Sequence, residues 1–310
     1  MKKRVIVIGS SNIDITIKVP RLPREGETVL GKRYYKAFGG KGANQAIAAR
    51  KAGANVFFIT KLGRDSFGEE YLDYLMSSEI PREGIILDST YPTGMALIIV
   101  DDKGKNQIAV APGANANLMP DEIYPFEYLF ENEAIVLIQH EIPMETVEEA
   151  LKIAKRNDAM TILNPAPGKK LRSEVLQSVD IITPNEVEAE ILTDIEVKNL
   201  DDADRAGARL LRMGSRIVII TLGEKGSLLC RRDGSRYFKP FKVKAVDTTA
   251  AGDAFNGALA CALSVGRDIE EAVIYGNAAG AITVTRMGAQ SSLPDKLEIE
   301  SFLKEMGVMI

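Results

Sequence analysis

Short β-branched runs alternate with helix-like patterns along most of this chain, and that alternation restricts its fold more than any other feature. Val5–Ile8, Val56–Thr60, Ile85–Leu87, Ala134–Ile138, Met160–Leu163, Ile181–Thr183 and Ile217–Thr221 are almost wholly apolar. A strand without polar alternation is buried on both faces, which is the condition of a parallel sheet covered by helices. Helical patterns lie between or beside these runs, at Gly42–Ala52, Phe67–Met76, Met144–Arg156, Glu186–Leu192 and Asp202–Met213. Two more follow near the end, Gly252–Leu263 and Ile269–Val284. The pattern predicts an α/β fold with a mostly parallel central sheet and flanking helices.

Two stretches depart from this rhythm. Asp14–Phe38 and Thr93–Ala111 show strand-like patterning with turn residues and no helix. Ile15, Ile17 and Val19 alternate with Thr16, Lys18 and Pro20. The segment Gly94–Val100 is apolar on both faces, and Asp102-Lys103-Gly104 predicts a turn before Gln107–Ala111. These excursions read either as an extended edge of the main sheet or as a small separate β lid built from about 13–38 and 93–111. A strand apolar on both sides in a small sheet needs a second cover, so the lid is expected to pair with that of another subunit in a homodimer.

With 310 residues the chain lies near the upper limit for one domain, and one domain, 1–310, carrying the lid is expected. A net charge of -4 and a pI near 5.4 argue against nucleic-acid or membrane-surface partners, which want a basic face. No apolar run approaches the roughly 20 residues of a membrane span. The two cysteines, Cys230 and Cys261, form no disulfide framework, and a reducing cytoplasmic setting is expected.

The chemistry concentrates in five clusters. Asp247–Gly257 reads D-T-T-A-A-G-D-A-F-N-G and runs into a helix. A helix start leaves backbone N–H groups unpartnered and is electropositive. Ala250, Ala251 and Gly252 bring almost no side-chain bulk there, which opens it to a phosphate, and Asp253 sets a carboxylate beside that anion. That pairing suits phosphoryl transfer with Asp253 as the base, although the same residues also suit an ordinary N-cap. Gly39–Asn44 (G-G-K-G-A-N) lies between a strand-like run and a helix; it is either a simple turn or a place where backbone closely approaches a ligand. Asn12-Ile13-Asp14 follows the first strand, where open parallel sheets bind ligands, and its side chains suit adjacent hydroxyls of a polyol or an Asx turn. Asn185-Glu186-Val187-Glu188 suits a helix cap or a hydrated magnesium ion. Thr221-Leu222-Gly223-Glu224-Lys225-Gly226, again after a strand, suits a nucleotide lying across glycine backbone. No G-x-x-x-x-G-K-[ST] and no strand followed by G-x-G-x-x-G occurs, which removes P-loop and dinucleotide-fold readings. The lone histidine, His140, has no second histidine or cysteine nearby and reads as structural.

Taken together, these motifs resemble the PfkB (ribokinase-like) carbohydrate kinase family over essentially the whole chain. The resemblance rests on G-G-x-G-x-N at Gly39–Asn44 and D-T-x-A-A-G-D-x-F at Asp247–Phe255. Asn185-x-x-Glu188 and Thr221-x-Gly223 lie in order between them. Many members have Gly at the place of Ala250; the Ala form, Asn12 with Asp14, and Glu141 in Q-H-E-I-P resemble the ribokinase branch. The resemblance implies the three-layer ribokinase-like fold and ATP-dependent phosphorylation of D-ribose at its 5-hydroxyl. It implies Asp253 as base and the backbone amides of Ala250, Ala251, Gly252 and Asp253 as anion hole. Asn12, Asp14, Gly40, Lys41, Gly42, Ala43, Asn44 and Glu141 would enclose the sugar. Asn185, Thr221, Leu222, Gly223, Glu224, Lys225, Gly226 and Asn277 would line the ATP site with Gly252 and Asp253, and Glu188 would organise Mg²⁺ through water. A potassium ion would be held at Asp247, Thr249, Thr283, Arg286, Gly288 and Ser292, several through carbonyl oxygens. The helix start and nearby cations are expected to hold the Asp253 pKa down. Rival readings are a sugar kinase for fructose or a keto-deoxy sugar acid, a nucleoside kinase, an ATP-independent glycosidase on the same fold, and a silent sugar sensor.

Overall fold

The computed structural model describes residues 2–131 and 133–308; residues 1, 132, 309 and 310 lie outside it. In chain order the strands are β1 (Arg4–Ile8), β2 (Asn12–Lys18), β3 (Arg33–Gly39), β4 (Asn55–Gly63), β5 (Ile85–Asp88), β6 (Gly94–Val100) and β7 (Asn106–Ala111). After these come β8 (Ile135–Ile138), β9 (Met160–Leu163), β10 (Ile181–Ile182), β11 (Ile217–Thr221), β12 (Ser227–Arg231) and β13 (Gly234–Phe238). The helices are α1 (Lys41–Lys51), α2 (Ser66–Ser77), α3 (Met144–Arg156), α4 (Ser173–Leu176), α5 (Glu186–Thr193), α6 (Leu200–Met213), α7 (Ala251–Ser264), α8 (Ile269–Thr283) and α9 (Lys296–Glu305).

Nine strands form one sheet in the order β13-β12-β11-β10-β9-β8-β1-β4-β5, parallel from β11 through β5. Its central strands are buried on both faces, as their unbroken apolar sequences require. Period-two alternation divides β1 between two cores. Val5 and Val7 pack with α1, α2, α7, α8 and α9, whereas Ile6 and Ile8 pack with α3, α5 and α6. The result is a three-layer helix–sheet–helix body. Apolar positions at i, i+3, i+4 and i+7 turn α3 inward through Val147, Ala150, Leu151 and Ala154.

Besides the single turn of α4, two further elements were not legible in the sequence. One is the β12–β13 hairpin, which pairs antiparallel on β11 and forms one edge of the large sheet. The other is α9, capped by Asp295 through Glu298 N–H and buried through Ile299 and Leu303.

The second sheet has four strands in the order β3-β2-β6-β7 and is separate from the first, which decides between the two readings of the β excursions. Strands β2 and β6 run parallel with Asp14 opposite Ala96 and Ile15 opposite Leu97; β3 and β7 pair antiparallel at the edges. Paired positions share a face, so Asp14, Ala37, Ala96 and Val110 lie on one side and Ile15, Lys36, Leu97 and Ala109 on the other. Ile17, Tyr34, Leu97, Ile108 and Val110 remain exposed.

Close packing of α1 on α7 places the two glycine-rich motifs side by side. Helix α1 carries the small residues Gly42, Ala43, Ala46, Ala48 and Ala49, and Gly257 is the contact point on α7. A Cβ built at Gly257 would stand 2.5 Å from Ala48 Cβ and 2.7 Å from both Ala49 N and Gln45 O. Two of those atoms are backbone, so any side chain at 257 would force the helices apart.

Candidate active site

The site lies beyond the carboxyl ends of β1, β8, β9, β10 and β11, where α1 and α7 begin. At α7 the chain enters through Ala250, whose φ of 60° is left-handed and costs an alanine strain that glycine escapes. This turn frees the amides that follow. Among the described residues, the N–H groups of Ala250, Gly252 and Asp253 meet no protein acceptor, while Ala251 N–H bonds the Thr248 carbonyl at 3.3 Å. A Cβ at Gly252 would meet nothing within 4 Å. The expected anion hole is therefore open at three amides, and the fourth, Ala251, is turned into the loop. These residues border a cavity of about 200 Å³ together with Lys41, Asn164, Thr183, Asn185, Glu188 and Thr221. A larger surface hollow of about 430 Å³ is edged by Asp194, Glu196, Lys198, Asp202 and Arg205. Its charged side chains have ion-pair partners, Lys198 with Glu196, Arg205 with Asp202 and Asp194 with Lys170, and among the described residues no unpartnered buried polar group belongs to it.

The Asp253 carboxylate is buried and accepts two amide donors, Asn44 Nδ2 on Oδ2 and Gln45 Nε2 on Oδ1, each at 2.9 Å. Burial pushes its pKa up, against the pull of Lys41, Asn44 and Gln45. The expected lowering is thus corrected: desolvation at this depth outweighs the helix start and the lysine. Asp253, with Glu141 and Glu188, in turn raises Lys41, which stays charged despite its own burial.

A second group of acids lies toward the four-stranded sheet. The Asp14 carboxylate accepts no protein hydrogen bond among the described residues, and Gly39 leaves room for it: a Cβ there would fall 2.1 Å from Asp14 Oδ2. Burial raises the Asp14 pKa to about 7, helped by the charges of Glu141 and Asp253. Asn12 Oδ1 accepts from Asn115 Nδ2 at 2.8 Å, which leaves the Asn12 amide N–H groups as donors. Glu141 Oε2 accepts from Ser10 Oγ at 2.5 Å and from Lys41 N–H at 2.9 Å, so it caps α1 in place of the side chain that Gly40 lacks. Gly40, at φ 88°, would place a Cβ 2.8 Å from Asn12 N, and one at Gly42 would fall 2.5 Å from Ser10 N. Both glycines bring α1 down onto the end of β1, where Ala43 N–H bonds Ser10 O. Asn12, Asp14, Lys41, Asn44, Glu141 and Asp253 thus converge, and carboxylates beside free amide donors match the alternating donors and acceptors of a polyol.

The nucleotide-side residues gather at β10 and β11. Asn185 and Glu188 form a reciprocal capping box on α5: Asn185 Oδ1 accepts Glu188 N–H at 2.8 Å and Glu188 Oε2 accepts Asn185 N–H at 2.9 Å. Thr221 bridges to Asn185, and Gly223-Glu224-Lys225 form a short turn with Leu222 N–H on the Gly226 carbonyl. Gly223, at φ 55°, has open space where a Cβ would stand. Asn277, on α8, donates to Ser227 Oγ at 2.9 Å.

The expected cation loop is brought together in part. Asp247 Oδ1 accepts from Thr249 N–H and Oγ, and Oδ2 accepts from Gly288 N–H at 2.9 Å, tying the two segments together. The carbonyls of Asp247, Thr249, Arg286 and Gly288 accept no protein hydrogen bond among the described residues, a donor set that fits a large monovalent ion. Two of the expected residues, Thr283 and Ser292, are engaged elsewhere, as is the Arg286 side chain. The Thr283 carbonyl takes Arg286 N–H, the Arg286 guanidinium pairs with Glu298, and Ser292 Oγ donates to Ala289 O. No group of three or more His, Cys, Asp or Glu side chains that could hold a metal occurs among the described residues. Glu188 is therefore suited to a magnesium ion only through water, with the oxygen its cap leaves free. His140 is buried, which pushes it down to about 4, and Nδ1 lies 3.3 Å from the Pro167 carbonyl.

The model of the pfkB family carbohydrate kinases matches residues 2–296. The chain belongs to this family. Among its relatives, the ribokinase of Haemophilus influenzae is 44% identical over 304 residues, 98% of this chain and 99% of that one. The crystal structure of the Thermotoga maritima ribokinase superposes with a TM-score of 0.90 at 42% identity, covering 98% of this chain and 100% of that one. The Arabidopsis thaliana ribokinase, solved with ribose and ATP, gives a TM-score of 0.92 at 32% identity over 98% and 99% of the two chains. As a PfkB kinase the chain has the expected three-layer body with a small second sheet.

Sequence reading missed several side chains that complete this PfkB site: Ser10, Gln45, Asn115, Asn164 and Gln290. Each is a single polar residue whose partners lie far away in the chain, as in Gln45 to Asp253, 208 residues apart. Local periodicity carries no signal for such pairs.

Proposed function

We propose that this PfkB kinase phosphorylates D-ribose at its 5-hydroxyl with ATP, yielding ribose 5-phosphate and ADP. One observation carries the reading: the buried Asp253 carboxylate stands in the first turn of α7 beside free amides of Ala250, Gly252 and Asp253. The sugar lies among Asn12, Asp14, Gly40–Asn44 and Glu141, with its 5-hydroxyl toward Asp253. The hydroxyl oxygen bonds the γ-phosphorus as the bond from that phosphorus to the bridging oxygen breaks, and the electron pair leaves on ADP. Asp253 takes the hydroxyl proton late, because the transition state is loose. Free amides and Lys41 stabilise charge on the transferred group. Asn185, Thr221, Leu222–Gly226 and Asn277 line the nucleotide groove.

Glu188 would hold Mg²⁺ through water, and the carbonyls of Asp247, Thr249, Arg286 and Gly288 would hold K⁺. When bound, these ions neutralise phosphate charge and stiffen the loop before α7. Full-length chain assayed with ATP and Mg²⁺, with and without K⁺, should give ADP in step with sugar phosphate for ribose. Efficiency should be at least about tenfold greater than for fructose, a keto-deoxy sugar acid or a nucleoside. A preference for one of those, or product without ATP consumption, would replace the reading.

The chain is read as one kinase domain whose small sheet is a lid. Ile17, Tyr34, Leu97, Ile108 and Val110, exposed on that sheet, favour a second copy as its cover. Sedimentation at micromolar concentration should give the mass of two chains, and a monomer there would contradict the pairing. Among the described residues no helix is long and apolar enough to cross a membrane. We place the enzyme in the cytoplasm.

A further inference from the structure

We propose that Gln45 and Gln290 are positioning residues for this reaction, two buried amides that fix the Asp253 carboxylate in one orientation toward the acceptor hydroxyl. The proposal rests on phosphoryl transfer at Asp253.

Both arms of the network have a forced direction. Gln45, on the second turn of α1, is 0% exposed. Its Nε2 donates to Asp253 Oδ1 at 2.9 Å and to Asn164 Oδ1 at 3.0 Å, and its Oε1 accepts from Gln139 Nε2 at 2.6 Å. Flipping this amide would set oxygen against two oxygens and nitrogen against nitrogen, so only one orientation is stable. The other arm reaches Asp253 through Asn44. Gln290 Nε2 donates to Asn44 Oδ1 and to Tyr71 Oη, both at 3.0 Å. Tyr71 has already spent its own proton on the Gly39 carbonyl at 2.7 Å, so it can only accept from Gln290. Asn44 Oδ1 is therefore held toward Gln290, and Nδ2 is held toward Asp253 Oδ2 at 2.9 Å.

The consequence for the base is specific. Each oxygen of Asp253 has one lone pair occupied by an amide, which settles the rotamer and leaves the remaining lone pairs for the acceptor hydroxyl. Neutral amides do this without adding a second cation beside Lys41, so the carboxylate keeps its basicity. They also offset part of the burial that opposes its ionisation. Neither glutamine borders the cavity. Gln45 acts on Asp253 directly, and Gln290 acts on it through Asn44.

The test uses the full-length chain with ribose, ATP and Mg²⁺. Gln45→Met and Gln290→Met keep side-chain length and delete the donor. Each should lower kcat by about 10²-fold, the scale of a misplaced general base, with the ribose KM changed by less than about threefold. The acid limb of the kcat–pH profile should move to higher pH, because burial then acts against one donor fewer in Gln45→Met and against an Asn44 amide no longer held toward Asp253 in Gln290→Met. Gln45→Glu, which keeps the shape and adds a negative charge, should move that limb the same way. Packing alone would change the melting temperature but leave the limb in place. A folded Met variant with kcat within about threefold of wild type and an unmoved limb would overturn the inference. Should Gln45→Met fail to fold, Gln290→Met and Gln45→Glu are judged by the same criteria. A wild-type chain inactive on ribose would refute the functional reading itself, whereas an active wild type with indifferent variants refutes only the positioning role.

Discussion

Asp253→Asn should lower kcat by about 10³-fold while leaving the ribose dissociation constant within about fivefold of wild type. The two halves of this expectation come from different residues. The base is lost because an amide cannot take the hydroxyl proton, and among the described residues the other carboxylates near the start of α7 have partners of their own. Glu188 is committed to its helix cap, and Glu141 to Ser10 and to the start of α1. Ribose binding persists because Asn12 and Glu141 are held by partners other than Asp253, namely Asn115 and Ser10, and the Asp14 carboxylate makes no hydrogen bond to Asp253. A new amide at 253 also faces two donors, Asn44 and Gln45, and one of them must turn away. That mismatch adds to the loss of turnover rather than restoring it. Calorimetric titration with ribose and single-turnover kinetics check the halves separately; near-normal turnover would contradict the assignment of the base.

Asp14→Asn should stabilise the free protein above neutral pH and remove most of its affinity for ribose. Burial raises the Asp14 pKa from 3.8 to about 7, with Glu141 and Asp253 adding to the effect. The sign follows from proton binding. Between about pH 4 and 7 the folded chain holds a proton that the unfolded chain has released, so stability falls as pH rises through that window. Above it the ionised carboxylate costs on the order of a few kcal/mol, at about 1.4 kcal/mol per pH unit. Asparagine removes this cost, so the variant should melt higher than wild type at pH 8, and the gain should fade toward pH 4. The price appears in binding. A carboxylate accepts two hydroxyls where an amide accepts one, and each charged hydrogen bond contributes about 1.5–3 kcal/mol, so ribose should bind about 10²-fold more weakly. Wild-type kcat/KM should likewise fall below about pH 7, by up to tenfold per unit. A variant that melts lower at pH 8, or binds ribose normally, would contradict this account of Asp14.

The framework of the fold was legible because burial on two faces leaves an unmistakable trace. Met160–Leu163, Ile217–Thr221 and Met144–Arg156 have the bounds their patterns predict, since each lies wholly against the sheet or on it. The β12–β13 hairpin was hidden for the opposite reason. It is an edge pair whose outer strand, Gly-Ser-Arg-Tyr-Phe, is largely exposed and carries no apolar alternation. Asp253, Asp14, Gly40–Asn44 and Glu141 could be picked out as candidates because glycines and acids cluster at the ends of strands, where open parallel sheets leave room for a ligand. Three things required coordinates. The engagement of the Ala251 amide follows from the left-handed turn at Ala250, the rise of the Asp253 pKa from the depth of burial, and the amide network from contacts between residues up to 246 apart. The cation loop was only half legible, because backbone carbonyls bind through conformation and leave no mark on residue type.

A crystal structure of the wild-type chain with ribose and a nonhydrolysable ATP analogue tests the central claim most directly. The γ-phosphate should accept hydrogen bonds from the backbone N–H groups of Gly252 and Asp253, with the sugar's 5-oxygen between that phosphorus and an Asp253 oxygen. A γ-phosphate bound away from the start of α7, or a ribose whose 5-oxygen points away from Asp253, would contradict it.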